Sequence, residues 1–371
     1  MNRYGSDISE PMIRVGLITD GEARVGVSGG GVSRIDNLLI GKGFHWQRPI
    51  SIEVEGEIEN AGGRTVNILP LERYVCSVIA SEMNPEAPEE FLKAHAIISR
   101  SWALGKIRHA GLDSEAGKVD EPGRHIGWQD ACDHEGFDVC SDDHCQRYQG
   151  IPSAGTERAQ KAVEETRGLV LTDAGGNIVD ARFSKCCGGR TEIFSSCWAD
   201  RDLPYLVSRD DPWCDLSEMD PEQRAEFLSR SLKNYDGETR DFYRWRARIS
   251  KEKVRENILR ITGEDIGTPQ RIRGLKKGAS GRLTEILVAG SKGKIRIGKE
   301  LAIRQALAEN TLYSSAIRVR HSADSFIIQG RGWGHGVGLC QIGAARMAAE
   351  GMGFRDILRF YYPMTNLTKI Y

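Results

Sequence analysis

The sequence has few aromatic residues, almost no net charge and no long apolar run. Aromatic residues make up 7% of the 371 residues, and the formal net charge is −1. Without an overall basic field, neither nucleic acid nor anionic lipid is an expected partner. No apolar stretch approaches the roughly 20 residues of a membrane-spanning helix. These absences favour a soluble globular enzyme or binding protein.

The N-terminus also lacks the features of a secretory signal peptide. The first residues, MNRYGSDISEPMIRVGLITDG, have neither a basic start nor an apolar core. We therefore expect either a cytoplasmic protein or an exported protein whose export segment is missing from this sequence. The residues alone favour neither location.

A glutamate lies on the apolar face of the first predicted helix. In the stretch LERYVCSVIASEM, Glu82 falls within the same arc of roughly 100° as Val75, Val78 and Ile79. Burial on that face disfavours the carboxylate, so we expect the pKa of Glu82 to rise above its usual value of about 4.3. A carboxylic acid that stays protonated near neutral pH can protonate a leaving-group oxygen. The alternative is a buried glutamate paired with an arginine, for example Arg100.

Histidines and cysteines cluster in a polar stretch without apolar periodicity. His134, Cys140, His144 and Cys145 supply two imidazoles and two thiolates, a complete tetrahedral set for Zn²⁺. Cys132 could replace one member of the set. Because four protein ligands leave no open position, we expect a structural ion that holds the loop, whereas a catalytic ion would need a water in place of one ligand. The alternative is a loop with free thiols and solvated histidines.

Glycine occupies every second position from residue 330 to residue 338. Successive side chains of a strand point to opposite faces, so the segment GRGWGHGVG predicts a strand with one bare face. A flat backbone floor of this kind lets a flat ligand such as a sugar ring approach closely. The opposite face carries Trp333 and His335, and a helix predicted over about 340–350 places Gln341 at the end of the floor. The alternative is a strand packed against another backbone.

The succession of patterns predicts an α+β fold with two lobes. Residues 12–58 alternate apolar and polar side chains, which predicts short antiparallel strands. Helices are predicted from about Leu71 to Met83 and from near Pro88 toward His109. Charged helices and short strands from Asp215 to about Asn310 indicate an inserted second lobe that forms a cleft with the core. The predicted domains are an N-terminal β segment (1–65), a helical catalytic core with the His/Cys loop (66–214), an inserted α+β lobe (215–320), and the Gly-rich strand with C-terminal helices (321–371).

Four segments of the sequence resemble a known family. They are YVCSVIASEMNPEAPEEFLKAHAIISRSWAL, DHCQRYQG, FSKCCGGRTE and GRGWGHGVGLCQIGAARMAAEG. Similar motifs occur in this order in the SpoIID family, which comprises the stage II sporulation protein D lytic transglycosylases and the related LytB amidase enhancers. The resemblance covers the chain from about residue 70 to the C-terminus, interrupted by residues 215–310.

The resemblance implies a protein that cleaves the glycan strands of bacterial peptidoglycan, in the sporulation enzymes after the peptide stems have been removed. The family's catalytic glutamate corresponds to Glu82, and the members that bind zinc do so through a loop matching His134, Cys140, His144 and Cys145. A functional link to a wall amidase and a location in the cell envelope or an exported compartment are also implied. Substrate contacts are then expected from the following residues: Arg100, Ser184, Gly188, Gly189, Thr191, Gly334, His335, Gly336 and Gln341.

The sequence departs from the family at two of these motifs. The first departure is mild, with Arg100-Ser101-Trp102 where the family often has Arg-Thr-Tyr. Cys186 and Cys187 replace the small or hydroxyl residues that usually precede the Gly-Gly pair. With Cys197 and Cys214 they suggest a second metal or redox feature. A disulfide between the two neighbouring cysteines would be strained, so we do not expect one.

Three functions are compatible with these patterns. The favoured one is cleavage of glycan strands by a lytic transglycosylase, which needs the single carboxyl of Glu82, whereas ordinary glycoside hydrolases need two carboxyl groups. The second is a glycan-binding amidase enhancer in which Glu82 is only a buried, paired carboxylate. The third is a metallohydrolase that uses the His/Cys loop, and the closed set of four ligands disfavours it.

Overall fold

The computed structural model describes residues 9–29, 31–44, 46–108, 117–129, 134–152, 155–233, 236 and 243–371. Within these residues, eight α-helices and nineteen strands form a mixed α+β fold, which confirms the predicted fold class. None of the described helices combines the length and the apolar composition needed to cross a bilayer.

The N-terminal region consists of six strands. They are β1 (Met12–Gly16), β2 (Thr19–Gly29), β3 (Val32–Ile40), β4 (Arg48–Glu55), β5 (Glu57–Ala61) and β6 (Arg64–Pro70). β2, β3 and β4 form an antiparallel meander, and β6 pairs with both β5 and β1 in antiparallel register. Ile13, Val15 and Leu69 of this region are buried in one apolar cluster with the first helix. The antiparallel strands predicted here are confirmed.

The first two helices form the centre of the fold. α1 spans Leu71–Glu82 and α2 spans Glu89–Arg108. α1 ends where Met83 adopts an extended conformation two residues before Pro85, because proline disfavours helical conformation ahead of it. Acidic residues in the first turn of α2 and basic residues in its last turn complement the helix dipole. Most side chains of both helices are buried, so α1 carries Glu82 into the interior.

Residues 117–214 carry short elements joined by long loops. They are β7 (Val119–Glu121), β8 (Arg124–Ile126), β9 (Val139–Cys140), α3 (Glu157–Glu165), β10 (Leu169–Thr172), β11 (Phe183–Ser184) and two short 3₁₀ segments, Phe194–Ser196 and Pro212–Cys214. β9 pairs in parallel with β1, with Val139 opposite Val15. This pairing attaches the His/Cys loop to the N-terminal sheet.

Most of the segment after residue 214 forms a region with an apolar core of its own, whereas Phe227 and Leu228 of its first helix pack against the main core cluster. Its elements are α4 (Pro221–Ser231), β12 (Arg244–Ser250), α5 (Lys251–Thr262), β13 (Pro269–Lys277), β14 (Leu283–Gly290), β15 (Lys294–Gly298), α6 (Glu300–Ala306), β16 (Ile317–His321) and β17 (Ser325–Arg331). β12, β17 and β16 form one sheet, and β13, β14 and β15 form a second sheet that continues into β8 and β7. Buried apolar residues between Trp245 and Ile328 form one cluster. The domain boundaries at 65, 214 and 320 stay predictions.

The C-terminal elements pack back onto the core. They are β18 (Leu339–Cys340), α7 (Gln341–Ala349), α8 (Phe354–Tyr361) and β19 (Asn366–Lys369). β18 pairs in parallel with β11, and β19 pairs antiparallel with β10. One apolar cluster joins Phe91 of α2 to Leu358 of α8. The parts of the chain before and after the inserted region therefore share a core.

The predicted Gly-rich strand is wrong beyond Arg331, where β17 ends. Four of its glycines have φ angles between 71° and 89°, in the left-handed region that other residues avoid: Gly332, Gly334, Gly336 and Gly338. A β-carbon at Gly338 would lie 1.9 Å from the carbonyl oxygen of Arg182. The segment is therefore a winding loop pressed against a neighbouring backbone rather than a flat floor.

Candidate active site

A cleft of about 610 Å³ opens beside the C-terminal end of α1. α1 contributes Glu82, the segment after the His/Cys cluster contributes Arg147, the residue after β11 is Lys185, and α6 contributes Arg304. The cleft therefore has lining residues from the helical core and from the segment after residue 214.

Aromatic side chains line much of the cleft: Phe44, Trp46, Trp102, Trp128, Phe183, Trp198 and Trp333. The rings of Phe44 and Trp46 stack with their centroids 4.5 Å apart, and Trp46 contacts Trp333 at 5.1 Å. The Arg182 guanidinium lies 4.1 Å from the centroid of Trp198. Flat apolar faces with polar groups between them suit a sugar ring, whose faces carry C–H groups and whose rim carries hydroxyls.

Glu82 is the last residue of α1 and is only 7% exposed. The backbone N–H of Arg147 donates to Glu82 Oε1 at 3.1 Å, and Nε of Arg147 lies 3.9 Å from Oε2. Burial raises the pKa of Glu82 and outweighs the opposing effects of the Arg147 and Lys185 cations. Lys233 also lies nearby, and burial lowers its pKa to about 8. The direction of the Glu82 shift is the one expected from the sequence.

The two cations nearest Glu82 are shared with aspartates. Arg147 Nε is 2.6 Å from Asp143 Oδ1, and Arg147 Nη1 is 3.1 Å from Asp236 Oδ1. Lys185 Nζ is 2.9 Å from Asp236 Oδ2 and donates to the backbone carbonyl of Glu82 at 2.7 Å. Because each cation already faces an aspartate, neither neutralises the Glu82 carboxylate fully. The rise in the pKa of Glu82 caused by burial is therefore larger than the lowering caused by the two cations.

The structure contradicts the pairing of Arg100 with Glu82. Its guanidinium is fully buried and donates two hydrogen bonds to Glu72, at 2.8 and 2.6 Å, and a third to the Leu169 carbonyl at 2.9 Å. Glu72 lies at the start of α1, about three helical turns before Glu82. Arg100 therefore pairs with the opposite end of α1 from Glu82 and does not contact Glu82. Its side chain is fully buried.

The other predicted substrate contacts divide into two groups. Four line the cleft: Ser184, Gly334, His335 and Gln341. Four lie outside the cleft lining: Gly188, Gly189, Thr191 and Gly336. Substrate contact by these four residues stays a prediction; in the structure the turn at Gly188 packs against the backbone of Gly332, and the Thr191 hydroxyl donates to the Val207 carbonyl at 3.1 Å.

Three polar side chains of the cleft lining are neutral: Ser184, His335 and Gln341. The buried hydroxyl of Ser184 has no hydrogen-bond partner within the described residues. Nε2 of Gln341 lies 2.9 Å from Nε2 of His95, and burial lowers the pKa of His95 to about 3, so a neutral ring accepts this hydrogen bond. Burial also lowers the pKa of His335 well below its usual range. Neutral donors and acceptors of this kind suit hydroxyl and amide groups.

The four predicted metal ligands come together at one wall of the cleft. The ligand atoms of His134, Cys140, His144 and Cys145 all lie within 4.8 Å of one another. His134 Nε2 is 3.2 Å from Cys145 Sγ, and His144 Nδ1 is 3.5 Å from Cys145 Sγ and 3.8 Å from Cys140 Sγ. Cys132, the predicted substitute, lies outside the described residues.

These separations fit a single tetrahedral ion. Zn–N bonds of about 2.0–2.1 Å and Zn–S bonds of about 2.3 Å place tetrahedral N and S ligands about 3.6 Å apart. The group can therefore hold a metal ion. Arg147, whose N–H donates to Glu82, follows Cys145 by two positions, so an ion in the loop would also fix this donor.

Two regions of the chain match known protein families. Residues 59–172 match SpoIID, the family described as Stage II sporulation protein. This region contains α1 with Glu82 and the complete His/Cys group. Residues 192–338 match a domain of unknown function, DUF8618.

Relatives share this similarity over most of the chain. The Stage II sporulation protein D of Bacillus subtilis (strain 168) is 26% identical over 331 residues, which cover 86% of this chain and 80% of the relative. The protein of the same name from Bacillus amyloliquefaciens is 26% identical over 328 residues, covering 87% and 80%. An amidase enhancer of Bacillus subtilis (strain 168) is 24% identical over 312 residues, covering 78% of this chain but only 40% of the relative.

The chain carries a SpoIID region, and its relatives support membership of the SpoIID/LytB family. This similarity supports a role related to the bacterial cell wall. The SpoIID match ends before Lys185 and the Gly-rich loop, so part of the cleft lies in the region that follows it.

Three residues of this charged network were not singled out from the sequence: Arg147, Lys185 and Asp236. Arg147 lies in the DHCQRYQG motif and Lys185 in the FSKCCGGRTE motif. Both motifs also contain cysteines, which suggest a metal site and draw the prediction away from the two cations. The motifs themselves were therefore a usable signal for these two residues. Asp236 lies in no motif, and the sequence offers no sign of its role.

Proposed function

We propose that this protein is a peptidoglycan lytic transglycosylase that cleaves the glycan strand between N-acetylmuramic acid and N-acetylglucosamine. The observation that carries the proposal is the buried carboxyl of Glu82, which has a raised pKa at the wall of a cleft. The cleft volume of about 610 Å³ is within the range of about 300–1,000 Å³ that is common for ligand sites.

Glu82 suits proton transfer better than the other carboxyl groups of the cleft. Asp143 and Glu300 each face an arginine, at 2.6 and 3.4 Å. Burial raises the pKa of Asp142 to about 7, but its carboxylate accepts hydrogen bonds from the backbone N–H groups of residues 41 and 42. Asp142 therefore joins two segments of the fold, and it provides a matched control for Glu82.

In the proposed mechanism Glu82 begins protonated. It donates its proton to the glycosidic oxygen while the bond between that oxygen and the anomeric carbon of N-acetylmuramic acid breaks. The Glu82 carboxylate then accepts the proton of the C6 hydroxyl, whose oxygen bonds to the anomeric carbon. The product is a 1,6-anhydro end, no water is consumed, and Glu82 is protonated again.

The neutral groups of the cleft support a sugar substrate. The unpartnered Ser184 hydroxyl can accept or donate a hydrogen bond to a sugar hydroxyl or an N-acetyl group. Gln341 is held in place by His95, so its amide is oriented before the substrate binds. Trp333 also lines the cleft. Groups that are already oriented lower the entropy cost of positioning the strand.

The His/Cys group contributes to this function as a structural Zn²⁺ site. The ion would be held by His134, Cys140, His144 and Cys145, and bound there it would supply rigidity to the loop. Four protein ligands complete its tetrahedral coordination, so no position is open for a substrate oxygen. This closed set disfavours the metallohydrolase alternative.

Substrate state, partner and location follow from the same proposal. We expect glycan strands that a wall amidase has already stripped of their peptide stems, in the cell envelope or an exported compartment. The names of the relatives, a sporulation protein and an amidase enhancer, support this expectation.

A second candidate is a glycan-binding amidase enhancer that cuts nothing. The relative named amidase enhancer favours it, as does the proximity of Arg147 to Glu82 at 3.9 Å. In this case Glu82 would serve the fold, and strands would bind without gaining new ends.

Strand cleavage and strand binding, measured on the same preparations, test the proposal. Glu82→Gln should abolish the release of soluble fragments from amidase-treated peptidoglycan while the pull-down of strands is unchanged. Asp142→Asn, the matched control, should keep most of the cleavage. Unchanged turnover by Glu82→Gln would contradict the assignment of Glu82, and binding without cleavage by the wild type would favour the enhancer.

A further inference from the structure

A second group of metal-ligating side chains lies inside the protein, away from the His/Cys loop. Cys187, Asp211, Cys214 and Cys340 are all buried, and their ligand atoms lie within 4.8 Å of one another. They come from the turn after β11, the 3₁₀ segment Pro212–Cys214 with the residue before it, and the N-cap of α7. Three distant parts of the chain thus converge on one point.

The separations in this group suit one tetrahedral ion. Cys187 Sγ is 3.3 Å from Cys214 Sγ and 3.2 Å from Asp211 Oδ2. Tetrahedral zinc places two thiolates about 3.8 Å apart and a thiolate and a carboxylate oxygen about 3.6 Å apart, so shifts of about 0.5 Å suffice. An iron–sulfur cluster, which inserts several irons and sulfides between its cysteines, needs a wider arrangement.

Backbone N–H groups point at the sulfurs. The N–H of Cys187 donates to Cys340 Sγ at 3.3 Å, the N–H of Gly343 donates to the same sulfur at 3.4 Å, and the N–H of Gly189 donates to Cys214 Sγ at 3.1 Å. Such donors stabilise thiolates, the form of cysteine that binds metal. Cys340 also lies at the N-terminus of α7, where the helix dipole favours negative charge.

We propose that Cys187, Cys214 and Cys340 bind a second zinc ion, with Asp211 as the fourth ligand. On binding, the thiols release their protons to solvent, and the ion replaces the S–H···O hydrogen bond between Cys187 and Asp211. The hydroxyl of Tyr361 donates to Asp211 Oδ2 at 2.9 Å and orients the carboxylate, as outer groups of metal sites do.

The second site corrects the grouping expected from the sequence. Cys197 is not part of it, because its sulfur faces the carbonyl of His335 at 3.8 Å. Cys340 takes its place, and Cys186 lies within reach of the Cys214 and Cys340 thiols without joining the mutual set.

An ion at this position would hold the back of the cleft. Cys340 Sγ lies 3.9 Å from the carbonyl of Lys185, the lysine that contacts the Glu82 backbone, and Cys340 immediately precedes Gln341. The second site therefore ties together the segments that place Lys185 and Gln341 at the cleft. It is a positioning site, and no ligand reaches the buried ion.

The metal content of purified protein tests the proposal. The wild type should contain two equivalents of zinc per chain, and the double variant Cys140→Ser/Cys145→Ser should contain one. Cys197→Ser, a buried cysteine outside both groups, should keep two equivalents. Cys187→Ser should keep one, that of the His/Cys loop.

Zinc X-ray absorption distinguishes the two sites even if Cys187→Ser does not fold. In the Cys140→Ser/Cys145→Ser variant the remaining ion should have three sulfur ligands and one oxygen ligand. In the wild type the mean number of sulfur ligands per zinc should lie between two, the number at the His/Cys loop, and three, the number at the second site. The proposal is overturned if the Cys140→Ser/Cys145→Ser variant contains no metal, or if it contains iron with labile sulfide. A disulfide between Cys187 and Cys214 in the native protein, detected by thiol alkylation, would also overturn it.

Discussion

Replacing Glu82 by glutamine should lower activity and raise stability. The amide keeps the shape of the side chain and an oxygen that can accept the Arg147 N–H. It removes the transferable proton and the negative charge that burial disfavours. If Glu82 is instead the structural half of an ion pair with Arg147, the same substitution should lower stability.

The expected magnitudes have opposite signs. Loss of general acid catalysis lowers the rate by about 10²- to 10⁴-fold. The pKa of Glu82 is raised above its ordinary value of 4.5, so the folded state holds the proton to higher pH than the unfolded state. The stability gained from that proton is complete below pH 4.5 and is lost as pH rises through the folded pKa. Above it, Glu82→Gln should be more stable than the wild type by about 1.4 kcal/mol for each unit of pKa shift.

Denaturant unfolding of both proteins between pH 4 and pH 8, paired with turnover of amidase-treated peptidoglycan, measures the two effects. The free energies of unfolding should coincide at the lowest pH and diverge as pH rises. Breaking a buried ion pair costs about 3–5 kcal/mol. A loss of that size on Glu82→Gln, at pH values where Glu82 is ionised, would refute the assignment of Glu82 as an acid whose ionised form is destabilised by burial.

Three further predictions concern the surroundings of the site. Lys185→Met should move the alkaline limb of the pH–rate profile to higher pH, because the lysine cation lowers the pKa of the proposed acid; the exposed control Lys161→Met should leave it unchanged, and equal profiles would contradict the account. His134→Ala should remove one zinc equivalent and lower strand cleavage about 10- to 100-fold, because the backbone N–H of Arg147 that donates to Glu82 is then misplaced. Metal analysis and turnover measure the two effects, and full activity without that ion would exclude the positioning role. Glu72→Ala should destabilise the fold by about 3–5 kcal/mol in denaturant unfolding, because it leaves Arg100 buried without its partner, and a loss below about 1 kcal/mol would show that the pair is dispensable.

Local patterns were sufficient to predict the position of Glu82. Helical periodicity depends on neighbouring residues, so the predicted span from Leu71 to Met83 differs from the observed helix Leu71–Glu82 by one residue. The four His/Cys ligands lie within twelve residues of one another, and the loop brings them together as the composition indicates. Both features depend on contacts that are close in sequence.

Contacts between distant segments could not be predicted in the same way. The hydrogen bond from Arg147 to Glu82 joins residues 65 positions apart, and periodicity does not report such a pair. Cys340 joins Cys187 across 153 positions, so the grouping by sequence proximity chose Cys197 instead. Long-range packing decides both.

The Gly-rich segment shows why one pattern can have two structures. Glycine at every second position is compatible with a flat strand and with a loop that alternates left-handed and extended residues. The choice depends on the neighbouring backbone, here the carbonyl of Arg182 against Gly338, which the local sequence does not contain. The prediction of a strand followed the commoner structure and was wrong.

The central claim is that Glu82 cleaves glycan strands without water. Mass spectrometry of the fragments released from amidase-treated peptidoglycan, with Glu82→Ala beside the wild type, tests it most directly. The account predicts fragments that end in 1,6-anhydro-N-acetylmuramic acid, released by the wild type and absent with the variant. Reducing ends would contradict it by showing hydrolysis, and the absence of fragments from the wild type would contradict strand cleavage altogether.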